Sequence, residues 1–267
     1  MIRQPAVAGQ FYAGDGAKLR TDLTALVTPV TPRRKVLGII APHAGYIYSG
    51  AVAGFLYGLI DIPPTVVILG PNHHGIGART ALYPDGEWLT PLGPVAVNSR
   101  LARLVANNAP QVEEDATAHH YEHSLEVQVP FLQYVRPDVT IVPLCLGFGD
   151  FASCRSLGEG LARAIREYGE ETLIVASSDM THYEPAAAAR EKDDQAIREV
   201  LALNPEGLVR ICREKGITMC GVIPAAVMLV AARELGATGA ELARYATSGD
   251  VTGDTSQVVA YAALTVA

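Results

Sequence analysis

Cysteine is scarce in this chain: four in 267 residues, at Cys145, Cys154, Cys212 and Cys220, with no CxxC pair among them. That spacing excludes a zinc ribbon and a small disulfide-stapled fold, and it suits a reducing, cytoplasmic setting. Positive charge is also short, with 21 Lys and Arg against 28 Asp and Glu and a formal net charge of −7. A surplus of negative charge opposes binding to a phosphate backbone, so nucleic acid is not an expected partner. Low-complexity tracts, charge blocks, internal repeats and Ser/Gly linkers are absent as well. Their absence removes disorder as the dominant state and favours a single domain spanning 1–267. The opening residues, MIRQPAVAGQFYAGDG, carry neither a basic-then-apolar leader nor a lipidation motif.

Residues 36–60 hold no Asp, Glu, Lys or Arg and are long enough to cross a bilayer, but they include Pro42, His43 and five glycines. Inside hydrocarbon a Pro-His-Ala-Gly break would leave backbone groups unpaired, whereas in an α/β protein it reads as strand, turn, helix. No membrane partner is therefore expected. Gly50, Gly54 and Gly58 then share one face of the following helix, which favours close packing inside the fold, with a subunit contact as the alternative.

Short β-branched runs at 36–41, 65–69, 139–144, 172–176 and 256–266 read as buried strands. Helical patterns fall at 49–60, 99–107, 122–135, 151–168, 185–203, 205–215 and 224–235. Asp150 and Asn204 stand at helix starts, and Gly169, Gly216 and Gly236 at helix ends. Alternation of this kind predicts an α/β domain with a mainly parallel or mixed central sheet flanked by helices on both faces. The turn-rich stretch 83–94, containing Trp88, reads as a hairpin or a lid.

Ligands of open α/β sheets bind outside the carboxyl ends of the strands, and three of those ends carry histidine. The turns are Ala41-Pro42-His43-Ala44-Gly45-Tyr46, Gly70-Pro71-Asn72-His73-His74-Gly75 and Ser177-Ser178-Asp179-Met180-Thr181-His182-Tyr183. A lone turn histidine is usually structural, but His43, His73, His74, Asp179 and His182 together point to a metal or catalytic site at one sheet edge. In Ala118-His119-His120-Tyr121-Glu122-His123-Ser124-Leu125-Glu126, His119 and His123 would lie one helical turn apart and could pair at a metal. The plainer reading gives Glu122 and Glu126 to the helix N-terminus, and a proton-handling role suits His123 better than ligation. Cys145, Cys154 and Cys212 read as inert packing, whereas Gly221 and a helix start beside Cys220 would expose its sulfur and favour thiolate.

These residues together resemble the Memo family, whose fold is related to the class III extradiol ring-cleavage dioxygenases that use non-heme iron. The resemblance spans nearly the whole chain and rests on PAVAGQFY at 5–12, APHAGY at 41–46, GPNHH at 70–74, EHSLE at 122–126, SSDMTHY at 177–183 and MCG at 219–221. It implies a metal-facing set of His43, His73 and Cys220, with Asp179 and His182 close by and a general base near His182 or His123. A thiolate then stands where the dioxygenases place a carboxylate, which softens the site toward copper or zinc as well as iron and puts ring cleavage in question. Asp179 remains the alternative third ligand. The functional expectation is a metal-dependent oxidoreductase holding iron or copper; a protein-interaction module that kept the pocket and a zinc-dependent hydrolase are the alternatives. The resemblance also implies, in prokaryotes, radical SAM and Ammecr-type partner proteins.

Overall fold

The computed structural model describes residues 1–147 and 149–267. In chain order its first half runs β1 (Ile2–Arg3), α1 (Gly16–Leu26), β2 (Gly38–Ala41), α2 (Tyr46–Leu59), β3 (Thr65–Pro71), β4 (Thr80–Leu82), β5 (Glu87–Thr90), β6 (Gly93–Ala96), α3 (Ser99–Asn108), β7 (Glu113–Glu114) and α4 (Val129–Val135). The second half runs β8 (Thr140–Leu146), α5 (Phe151–Tyr168), β9 (Thr172–Ser177), β10 (His182–Glu184), α6 (Ala186–Leu201), α7 (Pro205–Lys215), α8 (Val222–Glu234), β11 (Ala240–Thr247), α9 (Gly249–Thr252) and β12 (Val258–Val266).

The main sheet has the order β10-β12-β2-β9-β3-β8-β4-β7, with β11 also pairing β12. Strands β2, β9, β3 and β8 are mutually parallel, while β12 and β4 run antiparallel to them on either side. The expected mixed α/β sheet is thus what forms. Successive strand residues point to opposite faces, so Ile39, Val66, Ile68, Leu173 and Val175 pack into one core and Ile40, Val67, Leu69, Ile174 and Ala176 into the other. Helices α1, α2 and α4 cover the first face, and α3, α5 and α8 the second. Burial on both faces is why these strands read as continuous apolar runs in place of alternation.

Helix signals held where side chains make the cap. Asp150 and Asn204 accept from the backbone of Ser153 and Gly207 at the starts of α5 and α7, and Gly169 and Gly216 close those helices in the left-handed conformation. Gly54 and Gly58 let α2 lie against the backbone at Leu26 and Thr28, so their face serves internal close packing. Residues 87–96 form a hairpin whose first strand also pairs with β1.

Two readings need correction. The helix expected over 122–135 exists only as α4, preceded by a 3-10 turn at Glu126–Gln128. Pro130 fits only the first helical turn, and the Glu122 carboxylate is bound elsewhere, so the segment before it is irregular. His119 and His123 therefore share no helical face. In addition, α1 and β11 lie outside the elements expected from sequence. No helix among the described residues is long and apolar enough to cross a membrane.

Candidate metal centre

Three adjacent parallel strands, β2, β9 and β3, end at the same edge of the sheet, and the turns that follow them converge there. The β2 turn carries His43, the β3 turn His73, and the irregular segment before α4 lays His123 over both. Their ring centroids lie 5.3 Å (His43 to His73), 5.4 Å (His43 to His123) and 4.6 Å (His73 to His123) apart. One ring nitrogen from each falls within 4.8 Å of the other two, a grouping able to hold a metal ion.

Hydrogen bonding fixes which nitrogen is available. Ser177 Oγ donates its one hydrogen to the Ser124 carbonyl (2.6 Å) and accepts from Gln128 Nε2 (2.8 Å). Gln128 cannot be turned round, because the same Nε2 lies 2.9 Å from the Pro42 carbonyl, which only accepts. His43 Nδ1, 2.9 Å from Ser177 Oγ, must then be the donor, leaving a lone pair on Nε2. For His73 the partner is the Glu122 carboxylate: Nδ1 donates to Oε1 (2.8 Å) and the His73 backbone N–H to Oε2 (2.7 Å). Its Nε2 is likewise the free acceptor. Holding one imidazole nitrogen by a carboxylate or hydroxyl so that the other faces the centre is how metal-binding histidines are oriented.

Electrostatics favour the neutral forms of His43 and His123. Burial, reinforced by His123 and His73, drives His43 well below the usual imidazole range, and His43 is 2% exposed. Burial lowers His123 to about 4. For Glu122 burial alone would raise the carboxyl, but hydrogen bonds from His73 and Ser124 outweigh it and hold the group ionised far below the usual range.

Asp179 and Cys220 sit on the other side of His43. Asp179 Oδ1 accepts from the amides of His43 (2.8 Å) and Ala44 (3.3 Å), and burial pushes its carboxyl up to about 6 against those bonds. Cys220 Sγ is 3.2 Å from His43 Nε2 and accepts from the Asp179 amide at 3.3 Å. With Nδ1 as the His43 donor, the thiol hydrogen points to Nε2. The expected thiolate-favouring sulfur is not found: Cys220 is half-buried where the other three cysteines are buried, yet burial still raises its thiol. The close approach depends on Gly221, where a Cβ would run into the Ser177 carbonyl and the Ser178 side chain.

His182 opens β10 at the cleft wall. Its Nδ1 donates to the Thr218 carbonyl (3.1 Å), so Nε2 is free to accept a proton. His74 is exposed and bonds the Tyr121 carbonyl; with Glu122 and His123 it makes a second, more open grouping. His119 turns away into a pocket of Tyr83 and Trp88 and donates to the Ala81 carbonyl. His120 stacks edge-on against Tyr121.

Before the histidines lies a cleft of about 670 Å3 lined by Phe11, Tyr48, Asp179, His182, Tyr183, Asp254 and Tyr261 among others. Sequence reasoning missed Ser177, Gln128, Phe11, Tyr48 and Asp254, and it read Glu122 as a helix-start residue. Ser177, Glu122 and Phe11 stood inside the motifs quoted above; Asp254 comes from a segment whose return to the cleft only the fold reveals.

Oriented imidazoles, one buried and two more open, gather at the carboxyl edge of a parallel sheet in an α/β protein as a grouping that could hold a metal ion, and comparison with known proteins gives the family. The family described as Memo-like protein matches residues 3–265. Similar curated chains include MEMO1 family proteins of Methanopyrus kandleri (43% identical, covering 99% of this chain and 98% of that one), Methanothermobacter thermautotrophicus (43%, 99% and 100%) and Aquifex aeolicus (44%, 97% and 97%). The chain belongs to the Memo-like family. Among solved structures, an uncharacterized protein of Escherichia coli K12 shares the fold, with a TM-score of 0.56 over 85% of this chain and 98% of that one at 16% identity.

Proposed function

We propose that this protein is a metal-dependent oxidoreductase whose ion is held by His43, His73 and His123, with Cys220 and Asp179 beside it. The observation that supports the reading most is the pair of fixed tautomers, which commit His43 Nδ1 and His73 Nδ1 to Ser177 and Glu122 and leave both Nε2 lone pairs for one centre. Three neutral nitrogens suit iron, copper or zinc and leave positions for a ligand. A bound ion would supply Lewis acidity and, as iron or copper, electron transfer.

The chain's own groups supply the rest. Asp179 fixes the His43 turn, Glu122 orients His73, and His182 Nε2 can take a proton from a group lying in the cleft. Cys220, with its sulfur on His43 Nε2, either joins the ligands by losing its proton or stays as a thiol against the His43 ring. The family resemblance adds radical SAM and Ammecr-type proteins as proposed partners, and the four free cysteines accord with a cytoplasmic site of action.

The test is elemental analysis of untagged protein purified without oxygen, beside His43→Ala. About one iron or copper per chain, lost in the variant, is the expected result. Tightly held zinc without a redox response would replace the oxidoreductase with a hydrolase, the reading that the three nitrogens also support. A wild-type chain that refuses iron, copper and zinc would overturn both and leave a binding module. Co-purification under mild conditions tests the partners.

A further inference from the structure

Lysine and arginine are missing from every stretch of chain that reaches the cleft. Residues 4–17, 36–78, 104–135, 167–189, 216–232 and 245–267 contain none, and these stretches hold all of the cleft-lining residues. The 21 cations are all elsewhere in the sequence. The cleft wall does carry two carboxyl groups, Asp179 beside the histidines and the exposed Asp254 farther out, where Oδ1 accepts from the Ser256 amide and hydroxyl.

Part of the remaining wall is aromatic, beside small and neutral polar residues such as Gly45, Ser248 and Gln257. Phe11 lies 4.8 Å from the His123 ring, and the exposed Tyr48 and Tyr183 line the cleft with it, while Tyr261 is buried in its wall. Tyr183 is 73% exposed and held at φ 58°, a left-handed backbone that a tyrosine adopts only at a cost of roughly 1–2 kcal/mol. Strain kept at the mouth of a cleft, in a large side chain that is not needed for the core, points to use in binding. Aromatic faces attract cations, and a cleft with acids and no fixed cation repels an anionic substituent.

We propose that the cleft takes a ring-bearing ligand whose substituent away from the histidines is neutral or cationic, an arylalkylamine in preference to an arylalkyl acid. The proposal rests on the reading that this cleft serves the metal centre, and it names the class of ligand that centre acts on. Ring stacking on Phe11, Tyr48 and Tyr183 supplies affinity, and Asp254 with the Tyr48 and Tyr183 faces supplies the charge preference.

The test uses the full chain dialysed against a chelator, so that charge preference is read without any ion. 2-Phenylethylamine and phenylacetate, matched in ring and opposite in charge, are titrated while the tyrosine ring signals are followed by NMR. The amine is expected to bind about five- to tenfold tighter, the scale of one solvent-facing ion pair gained against one like-charge contact. The difference should shrink in high salt and in Asp254→Asn, which keeps an oxygen for Ser256, and Tyr183→Ala should weaken both ligands. Equal or tighter binding of the acid, no binding of either, or a preference untouched by Asp254→Asn would overturn the proposal. Amine preference in a chain that refuses every metal would sink the metal centre alone; metal binding with acid preference would sink this proposal alone.

Discussion

Two buried polar constellations lie within a few residues of each other along the 119–126 segment, and they differ in what they leave unused. In the first, Arg3 donates to Glu126 (2.7 Å) and to the carbonyls of His119 and Glu122 (both 2.8 Å), with its guanidinium 4.2 Å above the Trp88 ring. Glu126 also accepts from Tyr12 Oη (2.6 Å) and the amides of Ala6 and Val7. Both charges are answered inside the protein, and the result is a clamp on the N-terminal segment. In the second, Glu122, Ser177 and Gln128 answer one side of each imidazole at His73 and His43 and leave the other side facing a cleft. Buried groups that are fully paired hold a fold together, whereas oriented acceptors answered by nothing stronger than the Cys220 thiol at His43 are poised for a ligand.

The sharpest way to break this contrast is to damage the clamp and ask whether the centre notices. Glu126→Ala strands the Arg3 guanidinium in the core, and loss of one partner of a buried pair costs about 3–5 kcal/mol. Urea unfolding followed by Trp88 fluorescence should show that loss, while metal affinity of the folded protein stays within a factor of about three. A collapse of affinity at full stability would show that the clamp belongs to the centre. A somewhat smaller effect concerns pH. Burial, with Arg3 next, lowers His119 to about 4 in the folded chain, against 6.5 when exposed. The contribution of the neutral ring is fully present above pH 6.5; below that the unfolded chain binds a proton the folded chain does not, so stability is lost as pH falls from 6.5 through about 4. The loss is about 3 kcal/mol. His119→Phe, which keeps an aromatic ring against Trp88 and Tyr83, should flatten this step; an unchanged acid profile would assign it to other groups.

The fold was largely legible because its inner strands are buried on both faces and helices such as α5 and α7 carry side-chain caps; β3, β8 and β9 lie within two residues of their expected bounds. Strand β11 was missed because it is an edge strand with few fully buried residues, so no apolar run marks it. Helix α1 was legible in principle, with Asp15 capping Lys18 and Leu19 and Leu23 on one face. At the site, His43, His73, Asp179 and His182 could be gathered because each follows a strand. The place of His123 beside His43 and His73 could not be read from spacing, since its segment abandons the helix that a periodic reading supplies. The clamp was beyond reach: Arg3 and Glu126 are 123 residues apart, and nothing local marks the pair.

Within the centre the two kinds of residue should separate by size of effect. His73→Ala removes a nitrogen from a three-nitrogen set, and metal affinity should fall more than about 100-fold while unfolding shifts little, because the turn lies at the sheet edge. Glu122→Gln leaves every proposed ligand in place. Its amide can still accept from the His73 backbone, but it no longer offers a carboxylate to His73 Nδ1, so the imidazole loses basicity and orientation. The expected loss is about tenfold, measured by competition with a chromophoric chelator. If Glu122→Gln cost as much as His73→Ala, the carboxylate would be a ligand in its own right, and the open grouping of His74, Glu122 and His123 would replace the three imidazoles as the centre. If it cost nothing, the tautomer of His73 would be set by something other than the hydrogen bond at 2.8 Å, and the contrast with the clamp would lose its chemical basis.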